Sequence, residues 1–230
     1  SIEEQIAANL ELRGYKELTP IQNAIMKNET IGRDALVSAQ TGSGKTVAFG
    51  LSIASNISNE NLNSKSSKLP SVLIIAPTRE LALQVQKELE WLYSKTNVLI
   101  VSCVGGMDMR TEKRNLKKYP DIILGTPGRL KDYLEREVIN LSRIKVVVLD
   151  EADEMLNLGF RKELEYILSQ TPKERRTLLF SATFSKQIEK LASKFQNNAL
   201  RISTVEKNKQ HIDIEYHAIK VTSNNIEYAI

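Results

Sequence analysis

Seven short apolar runs, rich in β-branched residues, recur along the chain and constrain its fold more than any other feature. They cover residues 35–39, 72–76, 98–104, 121–125, 145–150, 177–181 and 200–204. Within each run the apolar residues are consecutive instead of alternating, which is typical of strands covered on both faces. Helical patterns separate the runs, at residues 46–55, 80–94, 108–117, 129–135, 161–168 and 186–195. This order predicts an α/β fold with a doubly wound parallel sheet.

Length and spacing suggest one complete domain and part of another. A chain of 230 residues has room for one well-buried α/β domain and a small remainder. We assign residues 1–204 to that domain. After it, residues 205–210 have the polar composition of a linker, and residues 212–220 alternate like one further strand. Residues 205–230 are therefore predicted to be a linker and the start of a truncated second domain.

Composition limits the partners and the compartment. The net charge of +4, from 32 basic and 28 acidic residues, is compatible with a polyanionic partner but does not identify one. Cys103 is the single cysteine, which excludes disulfides and a cysteine zinc site within the chain. No apolar stretch approaches the ~20 residues that span a bilayer, and the N-terminus has no signal-peptide pattern. We therefore expect a cytoplasmic protein.

A glycine-rich stretch follows the first apolar run and opens a helical pattern. Backbone N–H groups and a helix N-terminus in this context bind phosphates. We expect Lys45 to reach the β and γ phosphates of a nucleotide, and the Thr46 hydroxyl to bind magnesium. Ala39 stands where the general pattern has glycine, and the alternative is a tight turn with a surface lysine. The candidate nucleotide-binding residues here are Thr41, Gly42, Ser43, Gly44, Lys45 and Thr46.

An acidic cluster, Asp150-Glu151-Ala152-Asp153, ends the fifth apolar run. A carboxylate at a strand end can hold the shell of a magnesium ion, and a second one can orient and deprotonate an attacking water. We assign these roles to Asp150 and Glu151. The alternative is a cluster that only caps the next helix, which explains Asp153 better than Asp150. With Lys45, Asp150 and Glu151 as catalytic candidates, and Thr46 and Asp150 as metal ligands, the sequence predicts hydrolysis of a magnesium-bound nucleoside triphosphate.

The chain resembles the first RecA-like domain of a DEAD-box RNA helicase. The acidic tetrad is the motif that names this family, and other family motifs follow the family's order: Pro77-Thr78-Arg79-Glu80-Leu81-Ala82, Gly105-Gly106, Thr126-Pro127-Gly128-Arg129 and Ser181-Ala182-Thr183. The resemblance covers about residues 14–204. It implies a RecA-like P-loop fold with ATP and Mg²⁺ as cofactors. It also implies an enzyme that couples ATP hydrolysis to local RNA unwinding or to remodelling of RNA–protein complexes.

The resemblance assigns the segment from Gly14 to Gln22 to adenine recognition. The Gln22 amide can donate to one edge atom of adenine and accept from its neighbour, while Tyr15 is suited to stack on the base. Leu18 stands where the family usually has proline. A plainer interpretation, in which Pro20 begins a helix with Gln22 in its first turn, is compatible with either role.

Loops at the strand ends are implied to contact the sugar–phosphate backbone of RNA, with little sequence specificity. The implied residues are Pro77, Thr78, Arg79, Gly105, Gly106, Thr126, Gly128 and Arg129. Glycines and helix starts present N–H groups to phosphates, and guanidinium groups add bidentate bonds. A plain turn explains any single loop nearly as well. Ser181 and Thr183 are implied to couple the two sites through hydrogen bonds toward the acidic tetrad, unless the serine only satisfies its own strand end.

The family's arginine finger, in a His-Arg-x-Gly-Arg-x-Gly-Arg stretch, does not occur in the chain. Such fingers contribute about 10³ to 10⁵ in rate. We therefore expect the chain alone to hydrolyse ATP weakly and to depend on a second RecA-like domain for full activity. We also expect the chain alone to bind adenine nucleotides and to be monomeric. Two alternatives stay open: an ATP-gated RNA clamp or scaffold with little turnover, and a relative that acts on DNA.

Overall fold

A seven-stranded sheet forms the centre of the protein. The structure is a computed structural model that describes residues 2–40, 42–57, 69–106 and 108–203. Its strands are β1 (Ala35–Ser38), β2 (Val72–Ile75), β3 (Ile100–Cys103), β4 (Ile122–Gly125), β5 (Val146–Leu149), β6 (Arg176–Ser181) and β7 (Leu200–Ser203). Each predicted run holds one strand, so the seven predicted strands are confirmed. The predictions for Thr41 and for residues 205–230 lie outside the described residues.

All neighbouring strands pair in parallel, in the order β3-β4-β2-β5-β6-β1-β7. The carboxyl ends of the strands therefore lie along one edge of the sheet, where ligands of such folds bind. β6 separates β1 from β5, and Ser181 at its end lies between the glycine-rich loop and the acidic cluster. The strand order thus places the two predicted halves of the nucleotide site near each other.

The described residues contain nine α-helices. They are α1 (Ile2–Leu12), α2 (Pro20–Ile25), α3 (Lys45–Ile53), α4 (Arg79–Leu92), α5 (Met109–Leu116), α6 (Pro127–Glu135), α7 (Ala152–Asn157), α8 (Arg161–Ser169) and α9 (Lys186–Phe195). The predicted helices are confirmed, and α1 and α7 are additional. No helix in the described part of the chain is long and apolar enough to cross a membrane.

Two buried clusters cover the two faces of the sheet. Ile74 faces one cluster, in which α3 and α4 contribute Phe49 and Leu89. Its neighbour Ile75 faces the other cluster, in which Leu130 of α6 and Leu164 of α8 are buried. Successive strand residues point to opposite faces, so a strand covered on both sides needs apolar residues at consecutive positions. The doubly wound α/β arrangement predicted from the continuous apolar runs is confirmed. The prediction was wrong for the run at 200–204: half-buried and exposed residues alternate along β7, so this edge strand is not buried on both faces.

Candidate active site and nucleic-acid interface

The glycine-rich loop joins β1 to α3 through backbone conformations that favour glycine. Gly42 has φ +79° and Gly44 has φ +84°. A Cβ built on Gly44 would lie 2.6 Å from Nε2 of Gln22, whose side chain is fully buried and has little room to move. Both the backbone angle and the close contact therefore require glycine at position 44. α3 begins directly after it, at Lys45, so its free N–H groups open toward the loop.

Lys45 lies between the two carboxylates that were predicted from the acidic cluster. Its Nζ is 3.4 Å from Oδ1 of Asp150 and 3.2 Å from Oε1 of Glu151. The side chains of Lys45, Asp150 and Glu151 are 10%, 2% and 19% exposed, so water screens the three charges only in part. The structure thus brings together the lysine and both carboxylates of the predicted nucleotide site.

Asp150 is suited to hold a cation. Burial raises the pKa of its carboxyl group, Lys45 partly offsets that rise, and the neighbouring Glu151 charge adds to it. Its Oδ1 atom is fully buried and accepts no hydrogen bond within the described residues, and the Lys45 ammonium compensates it from 3.4 Å. A buried carboxylate oxygen that accepts no hydrogen bond fits a ligand of Mg²⁺ or of a magnesium-bound water, once Lys45 turns to the phosphates.

A magnesium ion here would need oxygen atoms from outside the protein. The described residues contain no cluster of three or more His, Cys, Asp or Glu side chains that could hold a metal ion. Mg²⁺ commonly binds through one or two protein oxygens together with phosphate oxygens and waters. Thr46, half-buried in the first turn of α3, is the second protein ligand implied by the motif.

Glu151 adopts a strained backbone conformation. It has φ +50° and ψ +52°, which lie in the left-handed region that residues other than glycine rarely occupy. Glu151 is the N-cap residue of α7, yet its side chain makes no capping hydrogen bond, so capping does not explain the residue. Strain of this kind costs about 1–3 kcal/mol and concentrates at functional sites. The pKa of Glu154, one turn along α7, is raised, first by a hydrogen bond with Glu151 and then by burial.

The N-terminal segment contacts the glycine-rich loop through Thr19 and Gln22. The Thr19 hydroxyl donates to the carbonyl of Ser43 at 3.1 Å, and the Gln22 amide donates to the carbonyl of Gly44 at 3.3 Å. The Gln22 side-chain oxygen accepts from the Thr19 N–H at 2.9 Å, which closes a capping box at the start of α2. Sequence analysis did not select Thr19, although the Thr-x-x-Gln spacing is a capping-box signature. Adenine recognition by Gln22 stays a prediction.

Tyr15 packs against the protein with one face of its ring. Its ring centroid lies 6.1 Å from that of Trp91 with an angle of 20° between the planes. The Arg13 guanidinium lies 4.0 Å from the centroid of the same Trp91 ring. Stacking on a base could therefore use only the other face of Tyr15.

The loops implied to bind RNA differ in exposure. Arg79, Gly105, Gly106 and Gly128 are exposed, Thr78, Thr126 and Arg129 are half-buried, and Pro77 is buried. The Thr78 hydroxyl caps α4 by accepting from the N–H of Leu81 at 3.2 Å. Buried Pro77 and capping Thr78 thus shape the loop after β2, whereas Arg79 and the three glycines are the exposed members of the implied set.

Ser181 makes its side-chain hydrogen bond locally. Its hydroxyl donates to the carbonyl of Thr183 at 2.8 Å and accepts from the Thr183 N–H at 3.3 Å. Its carbonyl accepts from the N–H of Ala39, which joins the end of β6 to the residue after β1. This arrangement corresponds to the serine that satisfies its own strand end. Coupling through Ser181 and Thr183 stays a prediction.

Comparison with known proteins identifies relatives that are similar in sequence. The profile of the DEAD/DEAH box helicase family matches residues 19–191. The chain is 43% identical over 205 residues to the ATP-dependent RNA helicase CshA of Limosilactobacillus reuteri, covering 88% of this chain and 40% of that protein. It is 40% identical over 220 residues to the CshA helicase of Listeria monocytogenes, covering 96% of this chain and 41% of that protein.

A solved structure shows the same architecture. The crystal structure of a DEAD box protein from the hyperthermophile Methanococcus jannaschii aligns with a TM-score of 0.75 at 35% identity, over 87% of this chain and 53% of that chain. The predicted RecA-like fold is confirmed. The chain spans about 40% of the length of the first two curated relatives. Because the family profile covers most of its length, the chain belongs to the DEAD/DEAH box helicase family.

Proposed function

We propose that this chain is the ATP- and RNA-binding part of an ATP-dependent RNA helicase, which couples ATP hydrolysis to local unwinding of RNA duplexes or remodelling of RNA–protein complexes. The observation that carries the proposal is the position of Lys45, within 3.4 Å of Asp150 and Glu151. Relatives named as ATP-dependent RNA helicases support ATP and RNA as its substrates. Residues 1–204 would form the domain, residues 205–230 would be a linker and the start of a second RecA-like domain, and the protein would act in the cytoplasm.

The first role is to bind the triphosphate. Backbone N–H groups of the loop from Thr41 to Gly44 and of the first turn of α3 would donate to phosphate oxygens. Lys45 would exchange its two carboxylate partners for the β and γ phosphates. That exchange places the Lys45 ammonium group next to the phosphate oxygens on which negative charge develops in the transition state. It also leaves the Glu151 carboxylate without its cationic partner.

Asp150 and Thr46 would hold the magnesium ion. The buried Oδ1 atom of Asp150, which accepts no hydrogen bond from the described residues and is paired with the Lys45 ammonium, supports this role. When bound, Mg²⁺ supplies charge neutralisation at the β and γ phosphates. The pKa of Asp150 is raised by burial, and a nearby cation would favour its ionised form.

Glu151 would act as the general base. Once Lys45 contacts phosphate, the carboxylate is free to accept a hydrogen bond from a water in line with the γ phosphorus. As the water oxygen forms its bond to phosphorus, its proton passes to the carboxylate and the bond to the ADP oxygen breaks. The strained backbone of Glu151 supports this role, since it aims the side chain from the end of β5 into the site.

The base and the RNA would bind on either side of this centre. Gln22 and Tyr15 would contact adenine, which requires the Gln22 amide to use its second N–H or to release Gly44. The loops from Pro77 to Arg79, at Gly105 and Gly106, and from Thr126 to Arg129 would contact the RNA backbone. Ser181 and Thr183, at the end of the strand between β1 and β5, would link the two sites.

The test is ATP hydrolysis by the intact protein with and without RNA duplex. We expect RNA to stimulate hydrolysis, Glu151→Gln to lower kcat by about 10² or more with nucleotide binding retained, and Lys45→Ala to lose both. The 230-residue chain alone should bind adenine nucleotides and hydrolyse ATP weakly. Absence of RNA stimulation in the intact protein contradicts the proposal. Equal RNA dwell times for wild type and Glu151→Gln, with slow turnover in both, would favour an ATP-gated clamp.

A further inference from the structure

Glu112 is a buried carboxylate on the RNA side of the sheet that the proposed function does not use. Its side chain is 2% exposed. Oε1 accepts from the N–H of Val104 at 2.9 Å, directly before the Gly105-Gly106 pair. Oε2 accepts from the hydroxyl of Tyr133 and lies 3.3 Å from Nη1 of Arg129. One carboxylate thus joins α5, the loop after β3, and both ends of α6.

Arg129 is held by one edge of its guanidinium group. Nη1 donates to the Tyr133 hydroxyl at 3.1 Å and pairs with Glu112. Among the described residues no hydrogen bond uses Nε or Nη2 of Arg129, and neither atom is among the fully buried atoms without a partner. The remaining donors are therefore accessible to solvent, although the side chain as a whole is only 13% exposed. A fork that is fixed on one side and open on the other is suited to bind a phosphate.

The glycine pair lies close to a second guanidinium group. A Cβ on Gly106 would meet Nη1 of Arg79 at 2.6 Å, so the Arg79 side chain lies directly against this glycine. The hydrogen bond from the Val104 N–H to Glu112 fixes the start of the same loop. Glu112 therefore controls both the orientation of Arg129 and the position of the loop that Arg79 contacts.

We propose that Glu112 is a positioning residue for RNA binding, which holds the Arg129 guanidinium and the 104–106 loop in the arrangement that receives a phosphate of the RNA backbone. The proposal rests on the proposed function, because it assigns the ligand of the same face. Pre-orienting the guanidinium lowers the side-chain entropy lost when the phosphate binds. A role limited to neutralising Arg129 inside the fold would instead affect stability and leave RNA affinity unchanged.

The experiment is Glu112→Gln in the intact protein, with RNA affinity measured in the presence of a nonhydrolysable ATP analogue. Glutamine keeps the shape and can still accept from the Val104 N–H, but it loses the ion pair to Arg129. We expect RNA affinity to fall about tenfold. The KM for RNA in ATP hydrolysis should rise by the same factor, while the KM for ATP and the rate at saturating RNA change less than about twofold.

Glu135→Gln is the matched control. Glu135 lies on α6, is 53% exposed, and pairs only loosely with Lys131 at 3.9 Å. Both substitutions remove one negative charge, which by itself strengthens binding to a polyanion. A loss of RNA affinity in Glu112→Gln is therefore opposite in sign to the general charge effect. Folded Glu112→Gln that binds RNA as tightly as Glu135→Gln would overturn the proposal.

Arg129→Lys decides the question if Glu112→Gln does not fold. Lysine keeps the positive charge and can pair with Glu112, but its single ammonium group cannot hold Glu112 and at the same time offer a separate pair of N–H donors to a phosphate. We expect RNA affinity to fall by a similar factor, about tenfold. The double variant Glu112→Gln, Arg129→Lys should lose little more, since both substitutions remove the same feature, a guanidinium group held in place by Glu112. Folded Arg129→Lys with wild-type RNA affinity overturns the positioning role. A wild-type protein that binds no RNA with the analogue instead contradicts the proposed function itself.

Discussion

Lys45 and Glu151 are 106 positions apart in the sequence, yet Nζ of the lysine lies 3.2 Å from Oε1 of the glutamate. The contact depends on the sheet, because each residue follows a parallel strand and only β6 separates those strands. The ammonium group also lies 3.4 Å from the buried carboxylate of Asp150. It thus compensates two negative charges at the place where the proposed triphosphate would add more.

Lys45→Met should weaken both folding and nucleotide binding. Methionine keeps most of the apolar stem but removes the charge that compensates Asp150 and Glu151. In the absence of nucleotide we expect the free energy of unfolding to fall by about 1–3 kcal/mol, limited because Asp150 can take up a proton. Urea denaturation tests the stability, and the rise in Tm with Mg-ADP tests the binding.

Lys131→Met is the comparison for that experiment. Lys131 is 35% exposed, and its ammonium lies 3.9 Å from a carboxylate of Glu135. Such a surface pair contributes little, so its loss should change the free energy of unfolding by less than about 0.5 kcal/mol. Full Mg-ADP stabilisation of Lys45→Met would contradict the assigned role of Lys45.

Gly44→Ala should destabilise the protein more than Gly42→Ala. Both positions have positive φ, so each alanine bears the cost of about 1 kcal/mol for the left-handed conformation. Only at Gly44 would the Cβ also meet the buried Gln22 amide, at 2.6 Å, whereas a Cβ on Gly42 meets nothing within 4 Å. We expect the two variants to differ by about 1 kcal/mol or more in urea denaturation. Equal stabilities would show that Gln22 moves aside freely.

Most of the fold could be predicted because its signals are local. A strand covered on both faces must be apolar at successive positions. The runs at 72–76 and 146–149 have this pattern, and their residues are buried alternately in the two core clusters. The α7 helix was missed because Ala152–Asn157 is too short to show helical periodicity. The α1 helix does carry a signal, since Ile2, Ile6 and Leu10 are spaced by one turn and are buried.

The candidate site could be predicted only where its residues stand in short motifs. Lys45 and Asp150 follow strands, and the parallel sheet brings such positions to one edge. Glu112 gives no comparable signal, because Arg110, Lys113 and Arg114 surround it and indicate a solvated helix. Its burial depends on how α5 packs beside β3 and on the distant Arg129. Contacts of that kind are set by tertiary packing, which local sequence patterns do not encode.

Cys103 should be unreactive in the folded protein. It is the single cysteine, it is fully buried at the end of β3, and burial together with the Glu112 charge raises the pKa of its thiol. At pH 8 we expect alkylation at least about 10³-fold slower than in urea-unfolded protein, as measured by mass spectrometry. Rapid labelling under native conditions would mean that β3 opens locally.

The same thiol makes stability depend on pH in a defined direction. The unfolded thiol loses its proton near its ordinary pKa of about 8.5, whereas the folded thiol keeps it to higher pH. Its contribution to stability is therefore complete below that pH and declines as the pH rises above it. Cys103→Ala removes this contribution, so the difference in unfolding free energy between wild type and variant should shrink between about pH 8 and pH 10.

Gly106→Ala should lower RNA affinity with a modest loss of stability. Gly106 has φ +79°, and its Cβ would meet Nη1 of Arg79 at 2.6 Å. The Arg79 side chain is exposed and can move, so the added methyl group displaces a guanidinium instead of disrupting the core. Because that group is implied to contact the RNA backbone, we expect about tenfold weaker RNA binding in the presence of an ATP analogue.

Gly105→Ala separates displacement of Arg79 from the mere addition of a methyl group to the loop. A Cβ on Gly105 meets nothing within 4 Å, and its φ lies outside the left-handed region. Both alanines lie in the loop after β3, so each could touch RNA directly, but only the one at Gly106 moves Arg79. The loss of RNA affinity should therefore be smaller for Gly105→Ala, by about threefold or more. If the two variants lose affinity equally, Arg79 does not contribute to RNA binding through its contact with Gly106.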